Sequence, residues 1–330
     1  MTEVQARRAL VDAGRRLLIE GLVARSWGNL SIRLGPSAMA ITPSGIPYPE
    51  LTEEMIVVVD LGTGDWRGSW KPSGERRIHR DIYLRRPDVE AIVHTHQNAA
   101  SACAAARVPV PAPWGETPSA AYGLPGTKAL SRAAVEALGS DGPAILLANH
   151  GVFAVGSDMD QAFDRVSVLE SACADFIAEK APGRLPARVD APWDPLWLSP
   201  LTLADGSPAL LSVAPFSRAW AHLVRPLKAA LDDLAQFVGT RVPAATALPN
   251  RRPKVGALFV KDSGLIVCGA DAEALALVVE KAARATLGGE SLGGAVPIPA
   301  WEARLMHWVY KNSYSKRAAA ATKLRSVAEG

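Results

Sequence analysis

The stretch Val89-Glu90-Ala91-Ile92-Val93-His94-Thr95-His96-Gln97-Asn98 sets two histidines one residue apart, directly after an apolar run that reads as a buried strand, in a chain with only six histidines. In a strand, residues i and i+2 project from one face, so His94 and His96 can aim both imidazoles at one point. A neutral imidazole is the commonest protein metal ligand, and three protein ligands with an open position define a catalytic zinc site. A third ligand must then come from another part of the chain.

Asn149-His150-Gly151 offers that ligand, because the apolar run Ala144-Ile145-Leu146-Leu147-Ala148 reads as a second strand delivering a histidine into a tight glycine turn. If the two strands are neighbours, the imidazoles of His94, His96 and His150 converge. The competing reading is of strand-end histidines without function. His79, His222 and His307 lack a comparable setting and read as surface or packing residues. Glu75 lies in the first turn of a helix expected from Ser73 to Arg85, where the dipole alone favours a carboxylate. Beside a divalent cation the same carboxylate can move a proton, as general base catalysis requires.

Two further loops, Ser26-Trp27-Gly28-Asn29-Leu30-Ser31 and Thr42-Pro43-Ser44-Gly45, are rich in small polar residues. Glycines let backbone N–H groups approach an anion, and Ser, Thr and Asn add donors. With Lys71-Pro72-Ser73-Gly74-Glu75 at a helix start, they form a candidate phosphate or carboxylate cradle built from Ser26, Gly28, Asn29, Ser44, Gly45, Ser73 and Gly74.

Around these motifs the chain alternates helices with short strands. A helix is expected over residues 4–22, strands over 30–34, 38–41 and 55–61, a hairpin turn at Gly62-Thr63-Gly64-Asp65, helices over 98–107 and 127–138, and a long helix over 158–181. The proline-rich segment after Pro182 is the linker candidate, giving domains 1–183 and 197–330 separated by 184–196. Beyond it, Ala257-Leu-Phe-Val-Lys-Asp-Ser-Gly-Leu-Ile-Val-Cys-Gly-Ala-Asp echoes Ala144-Ile-Leu-Leu-Ala-Asn-His-Gly-Val-Phe-Ala-Val-Gly-Ser-Asp, and each precedes a helical stretch with Val-Leu-Glu or Val-Val-Glu. A partial copy of the first domain is expected, with Ser212 and Ala214 where His94 and His96 stand and Ser263 in place of His150, hence without metal.

At 330 residues, 48% hydrophobic and 21% charged, the composition is that of a folded chain with room for a sizeable core. The net charge of +3 is spread without a basic face carrying interleaved aromatics, so no nucleic-acid partner is expected, and mild basicity suits small anionic substrates. Cys103, Cys173 and Cys268 have no close spacing and read as reduced core thiols. With no apolar signal core and no run near the ~20 residues needed to span a bilayer, a cytoplasmic protein without membrane contact is expected.

The ordered set Gly28-Asn29-Leu30-Ser31, Thr42-Pro43-Ser44-Gly45, Lys71-Pro72-Ser73-Gly74-Glu75, His94-Thr95-His96 and Asn149-His150-Gly151 resembles the class II aldolase/adducin family over about residues 5 to 180. The resemblance implies a three-layer α/β/α fold with a central, mainly antiparallel sheet, joined here by a second, smaller α/β domain. It further implies a homotetramer, Zn2+ or another divalent ion such as Mn2+ or Co2+ on His94, His96 and His150, and Glu75 as acid/base. The activity implied is carbon–carbon cleavage of a small hydroxylated ketose, ketose phosphate or sugar acid through a metal-stabilised enediolate. Epimerase, decarboxylase and dehydratase relatives share that chemistry, and adducin-like members are non-catalytic interaction proteins. A tyrosine proton donor, from Tyr122, Tyr310 or Tyr314, is implied as well. Two positions depart from the sugar-phosphate aldolase pattern: Trp27 adds bulk beside the anion site, and Gly74 removes a hydroxyl.

Overall fold

The computed structural model describes residues 1–23 and 27–314, so Ser26 of the candidate cradle lies outside the described residues. The chain divides into two compact units, Met1–Cys173 and a second from Ala174 onward. Unit 1 opens with α1 (Glu3–Ile19), whose first turn is closed by a capping box between Thr2 and Gln5. There follow β1 (Asn29–Leu34), β2 (Ala38–Ile41), β3 (Val57–Asp60), β4 (Trp66–Arg67), α2 (Arg76–Arg85), β5 (Ala91–Thr95) and α3 (Asn98–Ala106). A small hairpin of β6 (Val110–Ala112) and β7 (Gly115–Thr117) leads to β8 (Ser119–Ala120), α4 (Lys128–Leu138), β9 (Ala144–Leu147), β10 (Val152–Gly156) and α5 (Met159–Lys180).

The central sheet has eight strands in the order β4-β3-β2-β1-β5-β10-β9-β8. Its pairings are antiparallel except for β8 with β9. One face buries Met39, Ile41, Val57, Val59, Ile92, Ile145, Phe153 and Val155 against Ile78, Ile82 and Tyr83 of α2 and Leu130, Ala134 and Leu138 of α4. Because side chains alternate along each strand, Leu30, Val93 and Ala154 point to the other face, where α1 packs on β1 and β2, and α3 on β9. The expected mixed α/β architecture with a mainly antiparallel sheet is the one observed.

Helix α2 is held at its C-terminal end by Arg33 of β1. The nearly buried guanidinium donates to Tyr83 O at 2.9 Å, Arg86 O at 2.8 Å and Val89 O at 2.7 Å, satisfying carbonyls that the helix end leaves without partners. Glu75 sits at the opposite end of this helix.

Unit 2 contains β11 (Leu198–Thr202), β12 (Pro208–Ser212), α6 (Pro215–His222), β13 (Leu227–Lys228), α7 (Asp232–Val238), β14 (Arg241–Val242), β15 (Ala244–Ala245), β16 (Ala257–Val260), β17 (Gly264–Val267), α8 (Ala272–Glu290) and α9 (Ala300–Val309). Tyr310–Tyr314 closes the described chain as a π-helical turn; the basic tail beyond it lies outside the described residues. The proline-rich segment expected as a linker belongs to this unit, because the buried Arg284 guanidinium donates to Val189 O at 3.0 Å and to Ala191 O at 2.5 Å. The division between units accordingly falls inside α5 rather than at 184–196.

The sheet of unit 2 runs β11-β12-β17-β16-β15, with β15 parallel to β16 and the other pairs antiparallel. In unit 1 the order β1-β5-β10-β9-β8 has the same sense, strand by strand. Both central hairpins turn on a non-glycine residue with positive φ, Asn149 at 64° and Asp262 at 59°. In both units a glutamate of the following helix accepts two N–H groups at the start of an earlier one. Glu170 takes Ala99 and Ala100 at 2.8 and 2.9 Å, and Glu280 takes Phe216 and Ser217 at 3.0 and 2.6 Å.

The register corrects one expected equivalence. Val152 lies opposite Thr95, and Leu265 opposite Ser212, so a copy relationship would set Leu211 and Val213, not Ser212 and Ala214, at the places of His94 and His96. Among the described residues, no helix is long and apolar enough to cross a membrane. The three cysteines are buried and unpaired by disulfides, as expected.

Glu280 is 1% exposed and faces Arg284 at 3.7 Å as well as its two backbone donors. Removing such a partner strands buried donors and a buried cation, so Glu280→Ala is expected to lower stability by roughly 3 kcal/mol. Urea unfolding followed by circular dichroism checks this; a midpoint equal to that of the parent chain contradicts it.

Candidate metal and acid/base site

β5 and β10 are paired, with His94 opposite Phe153, so the His-x-His pair and the glycine turn before β10 meet at one end of the sheet. His94, His96 and His150 are 0%, 6% and 5% exposed. The Nε2 atoms of His96 and His150 lie 3.0 and 3.1 Å from Nε2 of His94. His94 is pinned from behind: its Nδ1–H donates to Val152 O at 2.7 Å, and its ring stacks on Phe153 at a centroid distance of 4.3 Å. That bond fixes the tautomer and leaves the Nε2 lone pair facing the other rings.

Local backbone demands explain the two glycines that flank this cluster. A Cβ on Gly151 would stand 2.3 Å from Thr95 O and 3.3 Å from ring atoms of both His94 and His96. A Cβ on Gly28 would stand 2.4 Å from His94 O, and Gly28 takes a φ of 79° that only glycine adopts freely. The turn itself is made by Asn149, whose Oδ1 accepts from Arg107 Nε at 2.9 Å.

Glu75 occupies the position preceding α2, yet its side chain caps no helix N–H. In the turn before the helix, Ser73 Oγ accepts from Glu75 N at 3.2 Å. The carboxylate turns inward: Oε1 lies 2.7 Å from His150 Nε2, and Oε2 lies 3.1 Å from His94 Nε2. Burial alone pushes the Glu75 carboxyl up, but positive charge at the facing ring positions of His94 and His150 outweighs it and holds the group well below the usual carboxylate range. At 13% exposure its side chain is more open than the three imidazoles.

Two imidazole nitrogens about 3 Å from a third, with a carboxylate oxygen beside them, form a buried donor set. Tetrahedral coordination at ~2.0–2.1 Å would set ligand nitrogens roughly 3.3 Å apart, close to the observed 3.0 and 3.1 Å. The residues therefore fit a divalent ion of the borderline class that accepts nitrogen and oxygen donors.

The three loops of the candidate cradle meet beside Glu75. Thr42 N donates to Leu30 O at 3.0 Å, Ser73 N donates to Thr42 O at 3.1 Å, and Ser44 N donates to Lys71 O at 2.9 Å. Gly28, Asn29, Ser44, Gly45, Ser73 and Gly74 are thus brought together. Asn29 is already engaged, its Nδ2 donating to Glu75 Oε2 at 2.8 Å. Trp27 stacks beside His96 at 6.0 Å.

Of the tyrosines, Tyr122 lies in unit 1 under the Arg107 guanidinium at 5.1 Å, and Tyr310 lies in unit 2 against Phe237 at 5.0 Å; the side chain of Tyr314 is outside the described residues. His222 bonds Asp262 at 3.0 Å, and His307 Nδ1 lies 2.8 Å from Gln236 O. His79, expected as a packing residue, is buried one helical turn from Glu75 and bonded to Asn29. Its i+4 spacing from Glu75 was the sequence signal for that placement.

The chain is similar to known proteins over about its first half. Residues 8–177 match the family described as Class II Aldolase and Adducin N-terminal domain. A 5-methylthioribulose-1-phosphate/5-deoxyribulose-1-phosphate aldolase of Rhodospirillum rubrum is 38% identical over 169 residues, covering 49% of this chain and 75% of that protein. A 5-deoxy-D-ribulose 1-phosphate aldolase of Bacillus thuringiensis is 32% identical over 185 residues, covering 54% of this chain and 86% of that protein. A solved L-fuculose 1-phosphate aldolase is similar with a TM-score of 0.52 and 33% identity, covering 57% of this chain and 91% of the other. With the three histidines, the glycine turn and Glu75 in place, the chain belongs to the class II aldolase and adducin family.

Proposed function

We propose that the protein is a metal-dependent aldolase that cleaves a ketose 1-phosphate. The observation that carries this reading is the carboxylate of Glu75 set 2.7 and 3.1 Å from two of three converging imidazoles. An adducin-like binding role needs no such set. Similarity to proteins named as ketose 1-phosphate aldolases supports cleavage over the epimerase, decarboxylase and dehydratase reactions that use related chemistry.

His94, His96 and His150 would hold the ion, with Zn2+ the natural occupant and Mn2+ or Co2+ as substitutes. The bound ion supplies positive charge to the substrate oxygen that gathers the electrons of the breaking bond. Glu75, ionised at rest, takes the proton of the C4 hydroxyl and returns it at C3. The C3–C4 bond breaks, the C4 fragment leaves as an aldehyde, and the C1–C3 fragment leaves as glycerone phosphate, so the carboxylate ends as it began. Gly28, Gly45 and Gly74 would receive the phosphate through backbone N–H groups, and Ser44 and Ser73 through their hydroxyls, since their own N–H groups are bonded to Lys71 O and Thr42 O.

Unit 2 is read as a partial copy of the same fold that has lost the ligands, with Leu211, Val213 and Ser263 where unit 1 has His94, His96 and His150. It would serve assembly, for which a homotetramer is the expected form.

Elemental analysis is expected to find about one divalent ion per chain in the purified protein and none in His94→Ala; an equal content in both sinks the ligand assignment. Gly151→Ala is expected to lose the ion as well, since its Cβ would press on Thr95 O and on two of the rings.

Incubation with L-fuculose 1-phosphate, 5-deoxyribulose 1-phosphate and 5-methylthioribulose 1-phosphate is expected to release glycerone phosphate from at least one of them. Glu75→Gln should retain the ion and lose roughly 100-fold or more in that rate. Release from none of the three by the metal-loaded protein overturns the aldolase reading, and full activity in Glu75→Gln overturns the role of Glu75.

A further inference from the structure

His79 is buried, and each of its ring nitrogens has a polar neighbour. Nδ1 lies 2.7 Å from Ser31 Oγ, and Nε2 lies 2.5 Å from Asn29 Oδ1. Ser31 Oγ in turn lies 2.9 Å from the Tyr83 hydroxyl, and Asn29 Nδ2 lies 2.8 Å from Glu75 Oε2. A continuous line of side chains therefore joins Tyr83, Ser31, His79 and Asn29 to the carboxylate.

The direction of every bond in this line follows from the anionic end. A carboxylate only accepts, so the Asn29 amide must present its NH2 group to Glu75 and its oxygen to His79. That oxygen needs a donor, which makes Nε2 of His79 the protonated nitrogen. A neutral imidazole then has a lone pair on Nδ1, so the Ser31 hydroxyl donates to it and accepts from Tyr83 O–H. Burial, reinforced by the nearby His94, pushes His79 down to about 3, which keeps the ring neutral and preserves this polarity. The opposite tautomer would set two lone pairs against each other at 2.5 Å.

Packing leaves the ring no alternative seat. His79 meets Phe153 edge-on at 5.1 Å, and Phe153 is the residue on which His94 stacks. Arg33 lies over the Tyr83 ring at 4.7 Å and bonds the end of α2, so the far end of the line is anchored to the sheet.

We propose that His79 is a positioning residue for Glu75: donating from Nε2, it locks the Asn29 amide with its NH2 toward the carboxylate and so holds Oε2 in place for proton transfer. This rests on the reading of Glu75 as the proton carrier. It also gives Asn29 a task besides its expected place in the anion cradle, because a flipped amide would turn its oxygen on a carboxylate.

The test combines two variants of His79 with Glu75→Gln. His79→Phe removes the donor; His79→Gln places an amide N–H near the position of Nε2. On the ketose 1-phosphate that the parent protein cleaves, His79→Phe is expected to lower kcat roughly 10- to 100-fold, with KM changed by no more than about 3-fold. His79→Gln should recover most of that loss, and in the Glu75→Gln background His79→Phe should cost nothing further. Equal losses in both variants of His79, or a full additional loss on top of Glu75→Gln, overturn the proposal. Full activity in Glu75→Gln alone would instead remove the reading of Glu75 on which it rests.

A second measurement needs neither variants nor turnover. In 15N NMR of the histidine-labelled parent protein, His79 is expected to carry its proton on Nε2, with a bare Nδ1, between about pH 6 and 8. A proton on Nδ1, or a doubly protonated ring, overturns the proposal whatever the enzyme turns over.

Discussion

The arrangement depends on one constraint: the Nε2 atoms of His96 and His150 both lie about 3 Å from Nε2 of His94 inside the protein, a crowding of buried polar groups that a shared cation would satisfy. The fold supplies the means to hold them there. Pairing of β5 with β10 brings the histidines to one sheet end, Val152 O fixes the His94 tautomer, Phe153 backs the ring, and Gly151 leaves the space that any side chain would fill.

Glu75 shows how a local preference yields to the site. A glutamate at a helix start ordinarily serves the free N–H groups of the first turn. Here Ser73 bonds the Glu75 N–H in the turn before the helix, while Glu75 turns toward His94 and His150 and is steadied from behind by Asn29 and His79. The Arg33 clamp holds the far end of the same helix.

Much of this was legible in the sequence because it follows from periodicity. The i, i+2 spacing on a strand placed His94 and His96 on one face, and the apolar run before Asn149-His150-Gly151 showed a second strand delivering a histidine, whereas the adjacency of the two strands came from the pairing of β5 with β10. Side-chain networks between distant segments were harder to read: nothing in the local sequence of His79 announces that Asn29, fifty residues earlier, will lie at its Nε2. The equivalence in unit 2 slipped by one residue for a physical reason as well. Apolar strands align almost equally well in adjacent registers, and a shift of one reverses every face, so only the pairing of Leu265 with Ser212 decides it. The boundary between units was hidden in the same way, since a proline-rich segment looks like a linker until Arg284 is seen to bind its carbonyls.

The most direct test of the account is X-ray absorption spectroscopy at the zinc edge on protein reconstituted with one equivalent of Zn2+. Scattering from three imidazoles, with zinc–nitrogen distances of roughly 2.0–2.1 Å, and its loss in a chain lacking His94 is the result the account predicts. A zinc shell of water and carboxylate oxygens without imidazole would contradict it, because His94, His96 and His150 would then be neighbours without a shared ion.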